Sequence, residues 1–375
     1  MKLLVFGDSN SIWVKEYIEY VLLSEAFDIS IICNNGKGKY FDFYKKNNIK
    51  MITIGLVEKN RISYMVNRVV KYITIIRAVD RYDIIHVHYL DKFKGRAIKF
   101  FRKRATLIVG SFWGTDLLDE AQRMKRENYD FLGYYDKVTV STTYLKEQFK
   151  LQFPNYDCQK LFLVKFGVSR FDSIRELQGR YSKPDVKKEL GILPEKWVIT
   201  IGYNGSLGQQ HLKVVEALKG LSKGVREKSV FVLPVTYPAD LNLKHYFDEV
   251  EMVLKKLELN YIVVEKYLTD VEVARLRYAS DIFIHAQITD AFSASVQEYL
   301  YAGSILINPK WIKYGELKKS GIKYYEYSEF NEIPEIIENI FLGSKVNNQE
   351  VKDLLWEMSS WQAVKKNWLK LYEMS

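Results

Sequence analysis

Residues 281–308 read DIFIHAQITDAFSASVQEYLYAGSILIN, and their pattern indicates the fold class. The apolar run at 282–284 predicts a strand, and Ser293 and Ser295 place hydroxyls where a helix should begin. Gly303 predicts the end of that helix, and the apolar run after it predicts another strand. A strand, a helix and a strand in this order predict one unit of a parallel sheet.

The same alternation of short aliphatic runs and longer helical stretches continues along the whole chain. The runs lie at 3–6, 29–33, 51–54, 84–88, 106–109 and 138–141 in the first half, and at 197–201, 229–234, 260–264, 282–286 and 304–308 in the second. We therefore predict two α/β domains, each with a doubly wound parallel sheet. Ligands of such sheets bind beyond the carboxyl ends of the strands.

Glycines, prolines and many charged residues gather between the two halves, which predicts a linker there. The predicted boundaries are a first domain at 1–167, a linker at 168–194, a second domain at 195–350 and a C-terminal helix at 351–375.

The composition is that of a globular protein. The chain has 375 residues, of which 47% are hydrophobic, and this excludes disorder, collagen and coiled coils. Cys33 and Cys158 are far apart and lie in no Cys-rich or His-rich cluster, so we expect neither a disulfide framework nor a zinc site. The low cysteine content favours the cytoplasm. No run of about 18 apolar residues occurs, so any membrane contact should be peripheral.

The formal net charge of +10 is compatible with nucleic acid, an anionic membrane surface or a phosphorylated substrate as partner. We do not expect nucleic acid, because the sequence has no homeodomain, zinc-finger or RNA-binding motif. Residues 92–104 read KFKGRAIKFFRKR, seven cations interleaved with apolar residues. This pattern suits an interfacial helix on the inner face of the plasma membrane, although a solvated helix with one buried aromatic side is the commoner explanation.

The stretch around Ser293 also carries chemistry. The free N–H groups and the dipole at a helix N-terminus favour a phosphate. Asp290 at the strand end and Glu298 on the helix can accept hydrogen bonds from the two sugars of a nucleotide-sugar, with its pyrophosphate between them. An ordinary capped amphipathic helix explains the bare pattern equally well.

The spacing of Asp290 and Glu298, with YLYAGSILI after them, resembles the Glu, seven residues, Glu motif of the retaining GT-B glycosyltransferases of family four. The run LTDVEVARLRYASD at 268–281 is also similar to that family. The resemblance implies two Rossmann-like domains facing a cleft, the acceptor bound by the first and the donor by the second. It implies that Glu298 holds the donor ribose and that Asp290, shorter by one methylene than the family's Glu, contacts the transferred sugar.

A second match is the turn IGYNGSLGQQH at 201–211, where family four usually has an Arg and a Lys for the pyrophosphate. This turn is similar to that of the transferases that add 4-acetamido-4,6-dideoxygalactose to enterobacterial common antigen, as are FWGTD at 112–116 and PVTYP at 234–238. The donor-binding residues that these resemblances imply, besides Glu298, are Asn204, Gly205, Ser206, His211, Tyr237, Tyr267, Leu268, Phe292, Ser293, Ala294 and Ser295.

In the first half, DIIHVHY at 83–89 resembles the strand end of family four at which a histidine lines the active-site cleft, which makes His88 a candidate to contact donor or acceptor. Without the resemblance, a core histidine is the favoured interpretation. Asp116 follows a predicted strand and is a candidate to orient or deprotonate an acceptor hydroxyl. A helix N-cap at Thr115 or Asp116 is the alternative.

The resemblance therefore implies a glycosyltransferase that moves a sugar from a nucleotide-diphosphate sugar to a hydroxyl of a lipid-linked glycan, in the synthesis of bacterial capsule or O-antigen. It implies that no metal or cofactor is needed. It also implies retention of the anomeric configuration, although the similarity to the common-antigen transferases leaves that point open. It also implies that 351–375 crosses back onto the first domain, whereas packing on its own domain is the alternative. A GT-B nucleotide-sugar 2-epimerase and a non-enzymatic basic lipid-binding protein are the other functions considered.

Overall fold

The computed structural model describes residues 1–34, 38–54, 61–78, 80–118, 130–236, 243–343 and 350–373. The chain forms two compact units, Met1–Gly167 with Trp361–Ser375, and Val168–Ser360. Each unit is built on a parallel sheet covered by helices. The prediction of two Rossmann-like, doubly wound α/β domains is confirmed.

The sheet of the first unit has seven strands within the described residues, in the order β3-β2-β1-β4-β5-β6-β7. These strands are β1 (Lys2–Phe6), β2 (Asp28–Asn34), β3 (Lys50–Ile54), β4 (Tyr82–His88), β5 (Ala105–Ser111), β6 (Lys137–Val140) and β7 (Leu161–Leu163). The strand order reverses between β1 and β4, where Phe6 pairs with Val87. Loops after these two strands therefore diverge and leave room for a ligand.

The helices of the first unit are α1 (Ile12–Tyr17), which continues as a π-helical turn over Ile18–Leu22, α2 (Phe41–Lys46), α3 (Arg61–Ala78), α4 (Lys92–Phe101), α5 (Thr115–Leu118) and α6 (Thr143–Gln152). Because connections between parallel strands are right-handed, α3 and α4 lie on one face of the sheet and α1 and α2 on the other.

The second unit repeats this plan with six strands in the part that the structure describes, in the order β10-β9-β8-β11-β12-β13. The strands are β8 (Trp197–Ile201), β9 (Ser229–Pro234), β10 (Tyr261–Val264), β11 (Ile282–Ile284), β12 (Ile305–Pro309) and β13 (Tyr325–Tyr327). Its order reverses between β8 and β11, where Ile201 pairs with Ile284.

The helices of this unit are α7 (Arg170–Arg180), α8 (Lys183–Glu189), α9 (His211–Ala217), α10 (Lys223–Lys228), α11 (Leu243–Lys256), α12 (Asp270–Ala279), α13 (Ala294–Ala302), α14 (Gly315–Lys319), α15 (Ile333–Phe341) and α16 (Val351–Ser359). The stretch expected to be a linker thus forms α7 and α8. Both pack on their own unit: the Phe171 ring stacks on Tyr301 at 4.3 Å, and Lys187 Nζ lies 2.6 Å from an Asp281 carboxylate oxygen.

The C-terminal segment forms two helices where one was expected. The first, α16, belongs to the second unit, and after Ser360 the chain continues as α17 (Trp361–Lys370) in the first. Two indole groups attach α17: Trp361 Nε1 donates to Glu16 at 3.0 Å and Trp368 Nε1 to the Lys165 carbonyl at 2.8 Å. The break follows from the extended backbone of Ser360, with ψ of 148°.

Candidate functional site

The two predicted donor-binding segments meet at the reversal point of the second sheet. One follows β8 and the other follows β11, its neighbour in the sheet. The Ile288 amide donates to the Gly208 carbonyl at 3.0 Å, and the Gln210 side chain donates to the Ala286 carbonyl at 2.7 Å. Tyr203 also stacks on His285, with ring centroids 6.0 Å apart. These contacts fix the two loops against each other where ligands of this fold bind.

The turn after β8 requires glycine at one position and is crowded at a second. Gly202 has φ of +66°, and a Cβ there would lie 2.7 Å from Nε2 of His211. A Cβ at Gly208 would lie 2.3 Å from the Gln287 side-chain oxygen. Burial lowers the pKa of His211 to about 4, so its imidazole is neutral at pH 7.

The side chains of Asn204 and Ser206 shape this turn. The Asn204 side-chain oxygen accepts from the Ser206 amide at 2.9 Å, and Ser206 Oγ accepts from the Gly208 amide at 3.3 Å. Gly205 lies between the two. The predicted donor-binding residues therefore hold the loop in shape, whatever ligand it contacts.

Asp290 organises the loop that leads into α13. Its two carboxylate oxygens accept from the amides of Phe292 and Ser293, each at 3.2 Å. The Tyr314 hydroxyl donates to Oδ2 at 2.6 Å, and His285 Nε2 lies 3.6 Å from the same oxygen. Burial lowers the pKa of His285 more than the nearby Asp290 carboxylate raises it, so this imidazole is neutral.

The N-terminus of α13 begins with Ser293, whose Oγ accepts from the Ser295 amide at 3.1 Å. Ala294 is the first residue of the helix and Phe292 packs on Tyr314, with ring centroids 5.4 Å apart. Asp290 and Ser293 together explain why the chain turns into a helix here, and the helix ends at Gly303 with φ of +95°.

Glu298 lies between two arginines, with only 1% of its side chain exposed. Its Oε1 accepts from Arg170 Nη1 at 3.0 Å and its Oε2 from Arg277 Nε at 3.1 Å. Burial by itself raises the pKa of Glu298, but the two guanidinium groups outweigh it and hold the pKa below its usual value. Glu298 is therefore an ionised, buried carboxylate.

Arg170 and Arg277 were not predicted from the sequence as site residues. Arg277 also donates to Ser295 Oγ at 3.3 Å, which places a buried cation beside the first turn of α13. Arg170 bonds Asp270 at 3.0 Å as well as Glu298. A signal existed for Arg277, because it lies within the run at 268–281 that resembles family four.

Three predicted donor-binding residues lie apart from these loops or cannot be placed. Tyr267 is 65% exposed, and Leu268 packs against the small apolar cluster that includes Ile192. Both follow β10, an edge strand two positions from β8. Tyr237 lies outside the described residues, so the prediction for it stays untested.

His88 lies in the core of the first unit, with no part of the residue exposed. Its ring stacks on His86 at 4.1 Å and lies 4.5 Å from the Tyr17 ring. Burial lowers the pKa of His88 to about 3. The burial fits a core histidine, and the predicted contact of His88 with donor or acceptor stays a prediction.

Asp116 ties together the loops after β4 and β5. Its carboxylate accepts from the amides of Leu90, Trp113 and Gly114, each at 2.9 Å. Burial raises the pKa of Asp116 to about 6 against the opposing effect of these donors. The contacts give Asp116 a loop-holding role, and a role toward an acceptor hydroxyl stays a prediction.

Among the described residues, His, Cys, Asp and Glu side chains form no group of three or more that could hold a metal ion. Within the same residues, no helix is both long and apolar enough to cross a membrane.

Comparison with known proteins agrees with this geometry. The family model described as glycosyl transferase 4-like matches residues 2–142. None of the curated proteins matches the sequence. A glycosyltransferase from Rickettsia africae is similar in structure, with a TM-score of 0.74 and 16% identity over 99% of this chain and 97% of that one.

Two further solved structures are similar over nearly their whole length. HepE of Anabaena in complex with UDP has a TM-score of 0.71 and 13% identity, covering 99% of both chains. Sucrose-phosphate synthase from Thermosynechococcus elongatus has a TM-score of 0.72 and 12% identity, covering 99% of this chain and 98% of its own. The fold is therefore GT-B. With the family match in the first unit, the protein is an enzyme, a glycosyltransferase of GT-B type.

Proposed function

We propose that the protein transfers a sugar from a nucleotide-diphosphate sugar to a hydroxyl of a lipid-linked glycan in bacterial surface polysaccharide synthesis. The observation that carries the donor half of this proposal is the meeting of the turn after β8 with the N-terminus of α13 at the reversal point of the second sheet. The solved complexes of HepE with UDP and with UDP-glucose support a nucleotide-sugar donor for a protein of this fold.

The donor diphosphate would lie at the first turn of α13 and beside the turn at 203–208. Helix N–H groups at Ser293 to Ser295 would bind its oxygens, and the Arg277 cation beside Ser295 would add positive potential. His211 would serve as a neutral hydrogen-bond donor, because its pKa of about 4 leaves it uncharged. Glu298 would accept from the ribose hydroxyls and Asp290 from the transferred sugar.

In the transfer step, the bond between the anomeric carbon and the diphosphate oxygen breaks and a bond from that carbon to the acceptor oxygen forms. The proton of the acceptor hydroxyl passes to the leaving diphosphate. We propose retention, with the hydroxyl attacking from the face that the diphosphate leaves, and we propose that N–H groups and Arg277 stabilise the leaving charge without a metal.

We also propose that the protein is cytoplasmic and rests on anionic lipid through residues 92–104. Phe100 is 48% exposed among the exposed cations Lys92, Arg96, Lys99 and Lys103. The neighbouring helix α3 exposes Val66, Val69 and Ile73 on one side. Cations around exposed apolar side chains favour the interface of an anionic membrane.

Thermal unfolding of the purified protein in UDP, GDP, dTDP, ADP or CMP, without added metal, tests the donor site. A ligand that binds the folded state alone raises the transition by mass action, so we expect one nucleotide to raise it more than the others. The Glu298→Gln variant should lose that increment, whereas Glu335→Gln, a change on α15, should keep it.

The matching activity assay follows release of nucleoside diphosphate from the sugar donor with and without a glycan acceptor. Release that needs the acceptor supports a transferase. Interconversion of sugars without any acceptor would instead identify an epimerase, and no response to any nucleotide would contradict the proposed donor site.

A further inference from the structure

A pocket of about 600 Å³ lies at the reversal point of the first sheet. Its floor is the end of β1, continuing through Gly7 and Asp8. Its walls come from the loop after β4 and from α3 and α4. The volume falls within the usual range for small-molecule sites.

The pocket has more positive than negative charge. Lys71, Lys92, Lys94 and Arg96 line it, against Asp8 and Asp91. Lys94 is bound to Asp91, with 2.5 Å between Nζ and Oδ2. Lys92 and Arg96, four residues apart on α4, share one side of that helix. In the described part of the chain, no ion pair engages Lys92 or Arg96.

Aromatic rings form much of the remaining lining, together with Ile32 and Ile54. Phe93 packs edge-on against Phe6 at 6.1 Å and lies 4.9 Å from the Tyr72 ring. The Tyr72 hydroxyl donates to the Phe93 carbonyl at 3.5 Å. Aromatic faces held in this way offer apolar surface to a sugar ring or a prenyl chain.

The backbone at the pocket is strained. Tyr89 follows β4 with φ of +60°, in the left-handed region that non-glycine residues rarely adopt. Its hydroxyl lies 3.4 Å from Thr115 Oγ1, and Lys94 Nζ lies 5.3 Å from the centre of its ring. Strain of this kind clusters at ligand sites. The strained residue thus sets an aromatic ring beside the cations.

We propose that this pocket binds the phosphate group of the acceptor, so that the acceptor is a phosphate or diphosphate ester of a sugar rather than a neutral glycan. The inference rests on the proposed function and specifies the acceptor class. Lys92 and Arg96 bind the phosphate oxygens, and the aromatic wall packs on the neighbouring sugar or prenyl group. Two sources share this chemistry, a soluble sugar phosphate and a lipid-linked sugar diphosphate.

Isothermal titration of the full chain tests the pocket with glucose 6-phosphate and farnesyl diphosphate as probes, and with glucose and farnesol as their uncharged counterparts. We expect at least one phosphorylated probe to bind about tenfold tighter than its counterpart, because hydrogen bonds to charged groups are strong. Preference for glucose 6-phosphate assigns a soluble acceptor, and preference for farnesyl diphosphate assigns a lipid-linked one.

Two double variants locate the binding. Lys92→Ala with Arg96→Ala should weaken the probe's Kd about tenfold or more, and raised salt should weaken binding to the parent protein. Lys366→Ala with Lys370→Ala removes the same charge at the same spacing on α17, outside the pocket and outside residues 92–104, and should change the Kd less than twofold. Equal losses in both variants, or equal binding of charged and uncharged probes, would overturn the proposal.

The nucleotide-induced rise in the unfolding transition, measured on the same variants, separates this inference from the proposed function. If the nucleotide response persists and the phosphorylated probes do not bind, the pocket assignment fails alone. If no nucleotide stabilises the parent protein while the probes bind at the pocket, the proposed donor function fails and the phosphate site stands.

Discussion

Replacing Glu298 should destabilise the second unit as well as affect any nucleotide bound there. The side chain of Arg277 is 6% exposed, and Glu298 is its carboxylate partner at 3.1 Å. In the variant Glu298→Ala, the guanidinium of Arg277 keeps its charge without that partner. Removing one partner of a buried ion pair costs about 3 to 5 kcal/mol, because the remaining charge is left uncompensated.

The size of the unit converts this cost into a temperature. The second unit has roughly 190 residues, and a domain of that size loses about 2 to 4 °C of Tm per kcal/mol. We therefore expect its transition to fall by about 6 to 20 °C. The loss of the Arg170 ion pair adds less to this destabilisation, since 28% of the Arg170 side chain is exposed and it also bonds Asp270.

Differential scanning calorimetry resolves the transitions, and a double variant checks the cause. Replacing Arg277 by Met in the Glu298→Ala background removes the uncompensated charge and should restore a large part of the loss. The pH dependence of the stability gives an independent check on the role of the Glu298 charge. Because the pKa of Glu298 is lowered in the folded state, its contribution is complete above about pH 4.5 and is lost as the pH falls through the folded value.

A fall of less than about 2 °C for Glu298→Ala would refute the reasoning, because it would mean that water or another group compensates Arg277. A double variant less stable than Glu298→Ala would refute it in a different way, since the loss would then come from packing and not from charge.

Three further changes separate structural from chemical roles. His88→Leu should keep most of the stability at pH 7 and reduce the loss of stability in acid. Because the folded pKa of His88 is about 3, the stability of the parent protein falls as the pH drops from about 6.5 toward 3. Thermal unfolding at several pH values measures this loss. An inactive but stable His88→Leu would show that the core assignment is incomplete. Tyr314→Phe removes one donor to Asp290 and should slow transfer about tenfold in a rate assay with nucleotide Kd unchanged, whereas a changed Kd would place Asp290 on the nucleotide. Phe100→Ser should weaken sedimentation with anionic vesicles several-fold, and unchanged binding would remove Phe100 from the membrane contact.

The strands were predicted from sequence because their residues are buried on both faces. The run at 197–201 matches β8, and each of its last four residues is fully or almost fully buried. A strand covered by helices on both sides must be apolar throughout, which makes a continuous aliphatic run a direct signal.

The helices within the expected linker were missed because glycine and proline were counted without their positions. Pro184 lies in the first turn of α8, where its missing N–H group costs nothing. Gly191 ends that segment with φ of +74°. The same residue types that mark a linker by composition therefore mark helix ends by position.

The candidate site was predicted only in part, because sequence spacing places residues along the chain and not across it. Asp290 and Ser293 were singled out from sequence because their contacts are local to one loop, and their roles toward a ligand stay predictions. The ion pair of Glu298 with Arg170 joins residues 128 positions apart, and no periodicity indicates it. His88 was ambiguous for a related reason: a histidine at a strand end fits a core or a ligand site until its neighbours are known.

The environment of Glu298 also constrains how a donor ribose could bind. An ionised carboxylate has about four acceptor positions, and the two arginines use one on each oxygen. Two acceptor positions of the Glu298 carboxylate therefore remain for ribose hydroxyls. A ribose cannot reach them in this arrangement, because the side chain is almost fully covered. Arg170 is the more exposed of the two partners and has Asp270 as a second acceptor, so it is the residue that can withdraw at the lower cost. Nucleotide binding at Glu298 would then exchange the Arg170 hydrogen bond for one from the ribose, while Arg277 keeps the carboxylate ionised and in place.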